Sequence, residues 1–209
     1  MIKIFQDGGP IMWPLLFCSI LTLATVLERL YFNIVERGRR QPELVEEILR
    51  RVEQGDVRGA VKAGLRSEDY IVRVLMAAIV HRGQSLTNAA IHASNIELKR
   101  FSRGLVILDT MITLSPLLGL LGTITGMIHA FGLLGGQELD APQAITGGIA
   151  QALIATAFGL SIAITAVIPF NYLNARLEEA RNNIQSAATQ LELQMGQPGA
   201  PAAHAEAVV

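Results

Sequence analysis

Two long stretches of this chain contain no charged side chain, and that absence limits the possible folds more than any other feature. Thr110 to Gln137 holds no Asp, Glu, Lys or Arg, and neither does Ala141 to Ala175. As helices, both are ample to cross the hydrocarbon core of a bilayer, which takes about 20 apolar residues. Composition agrees: half the chain is hydrophobic, at 51%, and only 17% is charged. The charges are segregated, with thirteen of the seventeen Lys and Arg residues between positions 33 and 104. This is the pattern of a polytopic membrane protein. A formal net charge of −1 gives no footprint for nucleic acid.

A third apolar segment lies near the start. Pro10 to Phe32 opens on Pro10 and Pro14, places Trp13 at an interface, and runs into Glu28, Arg29 and the arginines at 37, 39 and 40. It is too long for the hydrophobic region of a cleaved signal peptide and no small-residue cleavage site follows, so it reads as a transmembrane helix. Glu28 sits near its end, at the interface or paired with Arg29. The expected class is an all-α membrane protein with three transmembrane helices, its N-terminus outside, and long helices extending into a cytoplasmic helical domain. The orientation rests on the basic 33–104 region set against a basic-free turn at Leu133–Ala144.

The expected divisions are a periplasmic segment at 1–9, spans at 10–32, 105–134 and 144–173, and a periplasmic turn at 135–143. Cytoplasmic helical segments fill 33–104 and 174–195, and 196–209 is a disordered tail rich in Ala, Pro and Gly. Within 33–104, helices are predicted over Pro42–Gln54, Asp56–Leu65 (with Asp56 as N-cap) and Tyr70–His81, with Gly55, Gly64 and Gly83 as stops. From Thr87 the pattern meets no breaker before the second span, which predicts one continuous helix. Asp140 and Pro142 read as the cap and first turn of the third span, and Pro169 predicts a bend near its cytoplasmic end.

The patterned spans are more than apolar. Ser115, Gly119, Gly122 and Gly126 recur at three- and four-residue spacing and share one side of a helix. Gly148, Ala152, Gly159 and Ala163 fall within about 60° of one another in the third span. Small faces of this kind let helix backbones approach closely in lipid. Thr123 lies beside the first face, in register with Pro116 and Ala130, and Thr156 lies at the edge of the second. Two readings stand: helices gathered around a weakly polar centre, or tight packing with no pathway. A threonine in a membrane helix ordinarily bonds its own backbone carbonyl, and that is the expectation for Thr123 taken alone.

An enzyme reading lacks a reactive set. His81, His92 and His204 have no metal-ligand spacing. Cys18 is the only cysteine, which excludes an internal disulfide and a cysteine metal cluster. Ser115 and His129 are fourteen residues apart on one helix, about 21 Å, too far for a proton-transfer pair. No catalytic residue, metal or cofactor is expected. Ion conduction is the sharper hypothesis, and it meets an absence: neither patterned span carries a carboxylate at mid-membrane, where a proton pathway needs a titratable group. Asp109 lies at the cytoplasmic edge on roughly the Thr123 side. Thr123 and Thr156 can hold water or bond a carboxylate, but they cannot replace one.

At these residues the chain resembles the MotA/TolQ/ExbB proton-channel family, and within it the three-span ExbB and TolQ branch. The similarity runs from Pro10 to about Arg181. It is most specific in SPLLGLLGTITGMIHAF (Ser115–Phe131) and GGIAQALIATAFGL (Gly147–Leu160). The resemblance implies a homopentamer in the bacterial inner membrane. Its pore would hold helices of a single-span ExbD- or TolR-like partner, whose membrane Asp supplies the missing carboxylate. It also implies a TonB- or TolA-like transducer, and pore threonines at Thr123 and Thr156. Two positions depart from the family pattern. Gln151 stands where many members have Glu, and an amide cannot titrate. Thr165 stands where the usual proline falls, with Pro169 one turn later, while Asn171 matches. The competing hypothesis is a non-conducting scaffold that clamps single-span partner helices through the small faces.

Overall fold

The computed structural model describes Phe5, residues 7–132 and residues 141–196, the last with side chains from Thr146 onward. The expectations for most of the N-terminal segment, for the 135–140 part of the turn with Glu138 and the Asp140 cap, and for the tail with His204 lie outside the described residues, while 141–143, expected in that turn, are helical. Seven helices are described in chain order: α1 (Met12–Gly38), α2 (Pro42–Glu53), α3 (Val57–Gly64), α4 (Tyr70–Val80), α5 (Arg82–Ser102), α6 (Leu105–Gly132) and α7 (Ala141–Gly196). There is no strand among the described residues. Windows within three long helices are apolar enough to cross a membrane: α1, the α5–α6 stretch, where α6 carries the charge-free run, and α7.

The chain divides into two compact units. One comprises residues up to Tyr31 together with Gly104–Asn174; the other comprises Phe32–Arg103 and the residues from Ala175 onward. In the first, α6 buries Leu105, Leu108, Met111, Ser115, Gly119, Gly122, Gly126 and Ala130, a stripe at three- and four-residue steps. Its other sides carry exposed Val106, Leu117, Leu120, Ile124 and Ile128. A helix apolar on every side is suited to lipid rather than water. Met12, Leu15 and Ile162 form a small core, with Ile11, Leu118 and Ile154 against it. Phe5 closes on Trp13 edge to face, centroids 5.4 Å apart.

The continuous helix expected from Thr87 into the second span is not found. The backbone leaves the helix at Arg103 (ψ 134°) and turns through Gly104 at φ +82° before α6 begins. Only glycine takes that left-handed conformation without strain. A Cβ at Gly104 would lie 3.1 Å from both Arg29 Cδ and Thr25 Cγ2, so the α1 side chains close over this turn. α7 continues through Pro169 without a break in the helix.

In the second unit, α2 to α4 follow the expected pattern closely. The Asp56 side chain accepts from Gly59 N–H at 2.8 Å and caps α3, and Gly55 turns at φ +78°. Ser85 breaks the start of α5 (φ −168°, ψ 109°) and its hydroxyl accepts from Asn88 N–H at 3.2 Å, so the regular helix begins just before Thr87. The core of this unit contains buried charge. Asp69 is fully buried; it accepts from Ile71 N–H at 2.8 Å and Gln41 N–H at 2.6 Å and pairs with Arg40 at 3.0 Å. Thus one carboxylate caps α4 and fastens the start of α2 to it. Glu97 receives a bidentate Arg73 at 2.8 and 2.7 Å and Arg100 at 2.8 Å. Burial opposes ionisation of Glu97, but the hydrogen bonds and charges of Arg73 and Arg100 outweigh it and hold the carboxyl below the usual range.

Candidate functional site: the glycine seam and its two threonines

The small faces of α6 and α7 are spent on each other. A Cβ on Gly119 would sit 3.0 Å from Thr156 Cα and 3.2 Å from Ala155 O. On Gly126 it would meet Gly148 O at 3.1 Å and Ala152 Cβ at 3.2 Å; on Gly159 it would meet Gly119 Cα at 3.1 Å. Gly122 faces Ala155, and Gly148 faces Ala130. The partners run in opposite order along the two helices, so the seam is antiparallel. In lipid, where apolar side chains gain nothing by leaving solvent, such backbone-level contact is what holds two helices together.

Thr156 adds a polar link. Its hydroxyl donates across the seam to Gly119 O at 3.0 Å, the carbonyl that regular α geometry also pairs with the Thr123 N–H. Thr123 is half-buried, and its own hydroxyl donates to Leu120 O at 2.7 Å, the local bond expected of it. It borders a shallow apolar groove with Ile124, Met127, Ile128 and Phe131. Ser115 is fully buried beside the Cys18 thiol. Pro116, one residue on, has no N–H, so the Ile112 carbonyl loses its helical donor.

The remaining candidates lie elsewhere. Gln151 turns to the N-terminal segment, where its side chain fills the space a Cβ on Gly9 would need (φ +73°). Asp109 is exposed and about 21 Å along α6 from Thr123. Arg29 is buried and ion-paired with exposed Glu28. The seam therefore joins Thr156 to Gly119, one turn below Thr123, and leaves Gln151, Asp109 and Glu28 apart. Ala155 joins the seam although it is not among the expected small-face residues, and Ala130, expected in register with Thr123, packs against Gly148. Ala155 lies in phase with Gly148, Ala152 and Gly159, so its spacing was readable. Ala130 completes the α6 stripe in the same way.

What the fold and seam define is a multi-pass membrane protein in which two of the spans carry hydroxyls and close-packed backbone over long runs without charge. The model of the MotA/TolQ/ExbB proton channel family matches residues 59–186. Among similar proteins, the putative biopolymer transport protein ExbB-like 1 of Synechocystis is 36% identical over 200 residues, covering 90% of this chain and 76% of that protein. The ExbB-like 3 protein of the same organism is 32% identical over 191 residues, 89% of this chain and 90% of its own length. The Tol-Pal system protein TolQ of Haemophilus influenzae is 42% identical over 85 residues, 41% of this chain and 37% of that protein. The chain belongs to the MotA/TolQ/ExbB proton channel family, in its ExbB/TolQ-like branch. That is a family of channel proteins, not enzymes.

Proposed function

We propose that this chain is the wall-forming subunit of a proton channel in the bacterial inner membrane, coupling the proton-motive force to work on the cell envelope, as in biopolymer transport. Five copies surround the helices of an ExbD- or TolR-like single-span partner, and a TonB- or TolA-like protein carries the force outward. The N-terminus and the 135–143 turn face the periplasm, with spans at 10–32, 105–134 and 144–173, while 33–104 and 174–195 are cytoplasmic.

The carrying observation is a lined but uncharged pair of spans. Thr156 donates across the seam to Gly119 O, one turn from Thr123, and no Asp, Glu, Lys or Arg falls between Thr110 and Gln137 or between Ala141 and Ala175. A proton crossing at that depth needs a group that titrates, so the partner's membrane Asp must bring it. The field offers about 2.3 kcal/mol per charge per 100 mV to drive each transfer. Gln151, buttressing Gly9, serves the packing of the N-terminal segment in place of titration.

Proton flux into liposomes tests this. Vesicles holding the chain with its co-purifying partner should acidify under an imposed potential, and vesicles holding the chain alone should not. Full flux from the chain alone would defeat the proposal. Intact coupled activity with both Thr123→Val and Thr156→Val would favour the clamping scaffold instead.

A further inference from the structure

The second unit contains a polar pocket of about 310 Å³ that the channel reading does not use. It is lined in part by Asn33, Arg37, Tyr70, Arg176 and Asn183. Its charges are unevenly matched. Arg40 is taken by Asp69 at 3.0 Å, and Glu36 lies 3.5 Å from Arg73 and 3.9 Å from Arg100. Arg176 pairs with Glu179 through its terminal nitrogen, leaving its Nε buried with no acceptor. Arg37 makes no ion pair among the described residues. Once these pairs are formed, one positive charge and one buried N–H donor remain, together with Glu36 Oε1, which is buried without a hydrogen-bond donor but lies 3.5 Å from Arg73. A buried donor without an acceptor costs free energy that a bound group can recover. The Asn33 and Asn183 amides and the Tyr70 phenol add neutral hydrogen-bonding capacity. Burial pushes the phenol's pKa up, so it remains a donor at neutral pH.

The position along the chain indicates the class of ligand. Arg176 is the first charged residue after the uncharged run that ends at Ala175, and Arg37 lies about two turns beyond the Glu28–Arg29 pair that closes the first apolar segment. On both helices these arginines stand just past segments long enough to span a bilayer, at the level of lipid headgroups. Guanidinium forks match phosphate oxygens in geometry and charge. We propose that this pocket binds a phosphate group, held by Arg37 and the Nε of Arg176. Its source is either a lipid headgroup or phosphate in free solution.

The test is native mass spectrometry of the full chain in neutral detergent. Phosphatidylglycerol is added in one arm and diacylglycerol, which lacks the phosphate, in the other. The expected result is at least tenfold greater retention of phosphatidylglycerol. Arg37→Gln, at an exposed position with no ion pair to lose, should cut retention severalfold, and Arg37→Gln/Arg176→Gln should reduce it to the diacylglycerol level. Arg50→Gln, on the exposed side of α2, should change nothing. Competition by millimolar inorganic phosphate assigns a free-phosphate source; retention through that competition assigns the lipid. Equal retention of the two lipids, or equal behaviour of Arg37→Gln and Arg50→Gln, overturns the site.

Discussion

Replacing Gly159 with alanine places one methyl group where the α6–α7 seam is walled by backbone alone. The new Cβ would lie 2.5 Å from Ser115 O, 3.1 Å from Gly119 Cα and 3.2 Å from Gly119 N. All three are backbone atoms, so no side chain can rotate away and the helices must part. Overpacking of this kind costs about 1–3 kcal/mol. Parting them also stretches the Thr156–Gly119 hydrogen bond, worth about 0.6–1.7 kcal/mol in a membrane setting. The expected loss is about 2–4 kcal/mol, a fall in Tm on the order of 5–15 °C for a chain of this length. Gly147→Ala is the matched control, because no heavy atom lies within 4 Å of its Cβ position. Helix propensity alone should stabilise it by up to about 1 kcal/mol. Thermal melts of the detergent-solubilised chain, followed by helical circular dichroism, measure both. Equal Tm values for the two variants would refute the seam.

Three further outcomes follow from the charged unit and its junction. Asp69→Ala strips the partner from Arg40 and from two backbone N–H groups; it should cost about 3–5 kcal/mol, read from chemical denaturation, and a loss under 1 kcal/mol would show the network to be slack. Glu97 titrates below the ordinary carboxylate range when folded. Its contribution is therefore complete above the unfolded pKa and is lost as pH falls through the lower folded value, so Glu97→Gln should flatten the acid limb of a stability–pH curve. Gly104→Ala puts a side chain at φ +82° with Arg29 and Thr25 3.1 Å away; a loss of roughly 1–2 kcal/mol is expected from the conformation alone, checked by the same melts.

How much of this was legible in the sequence depends on the range of the contact. The stripes at Ser115, Gly119, Gly122 and Gly126 and at Gly148, Ala152 and Gly159 are local, and 3.6-residue periodicity exposes them directly. Their mutual partnership is not local. Periodicity marks a face without saying what covers it, which is why an open weakly polar centre and tight packing both stood until the geometry joined Gly126 to Gly148. The Asp56 cap was readable because it acts three residues away, whereas Asp69 reaches back to Arg40 and Gln41 across 29 and 28 residues. Gly104 misled for an energetic reason. A glycine within a helical pattern costs only about 1 kcal/mol, so the pattern alone did not reveal a left-handed turn closed over by Arg29. The replacement of Glu by Gln151 was visible, but its contact with Gly9 depends on a segment more than 140 residues earlier.

The bond from Thr156 to Gly119 changes what a loss of function at Thr156 would mean. Thr156→Val removes the hydroxyl proposed to serve the passing ion, and it also removes the donor that bridges α6 and α7 at 3.0 Å. Lost flux in that variant alone fits a collapsed wall as well as a broken pathway. Serine separates the two cases, since it keeps the donor and drops only a methyl. If the hydroxyl serves both the wall and the pathway, Thr156→Ser should retain coupled flux and Tm, while Thr156→Val should lose nearly all flux for a stability cost of about 1 kcal/mol. Thr123 provides the internal comparison, because its hydroxyl bonds only within its own helix, to Leu120 O at 2.7 Å. Thr123→Val should therefore leave the melting curve in place while flux through the partnered complex falls. Flux that tracked Tm across all three variants would reduce both threonines to packing residues, and the ion would need another route.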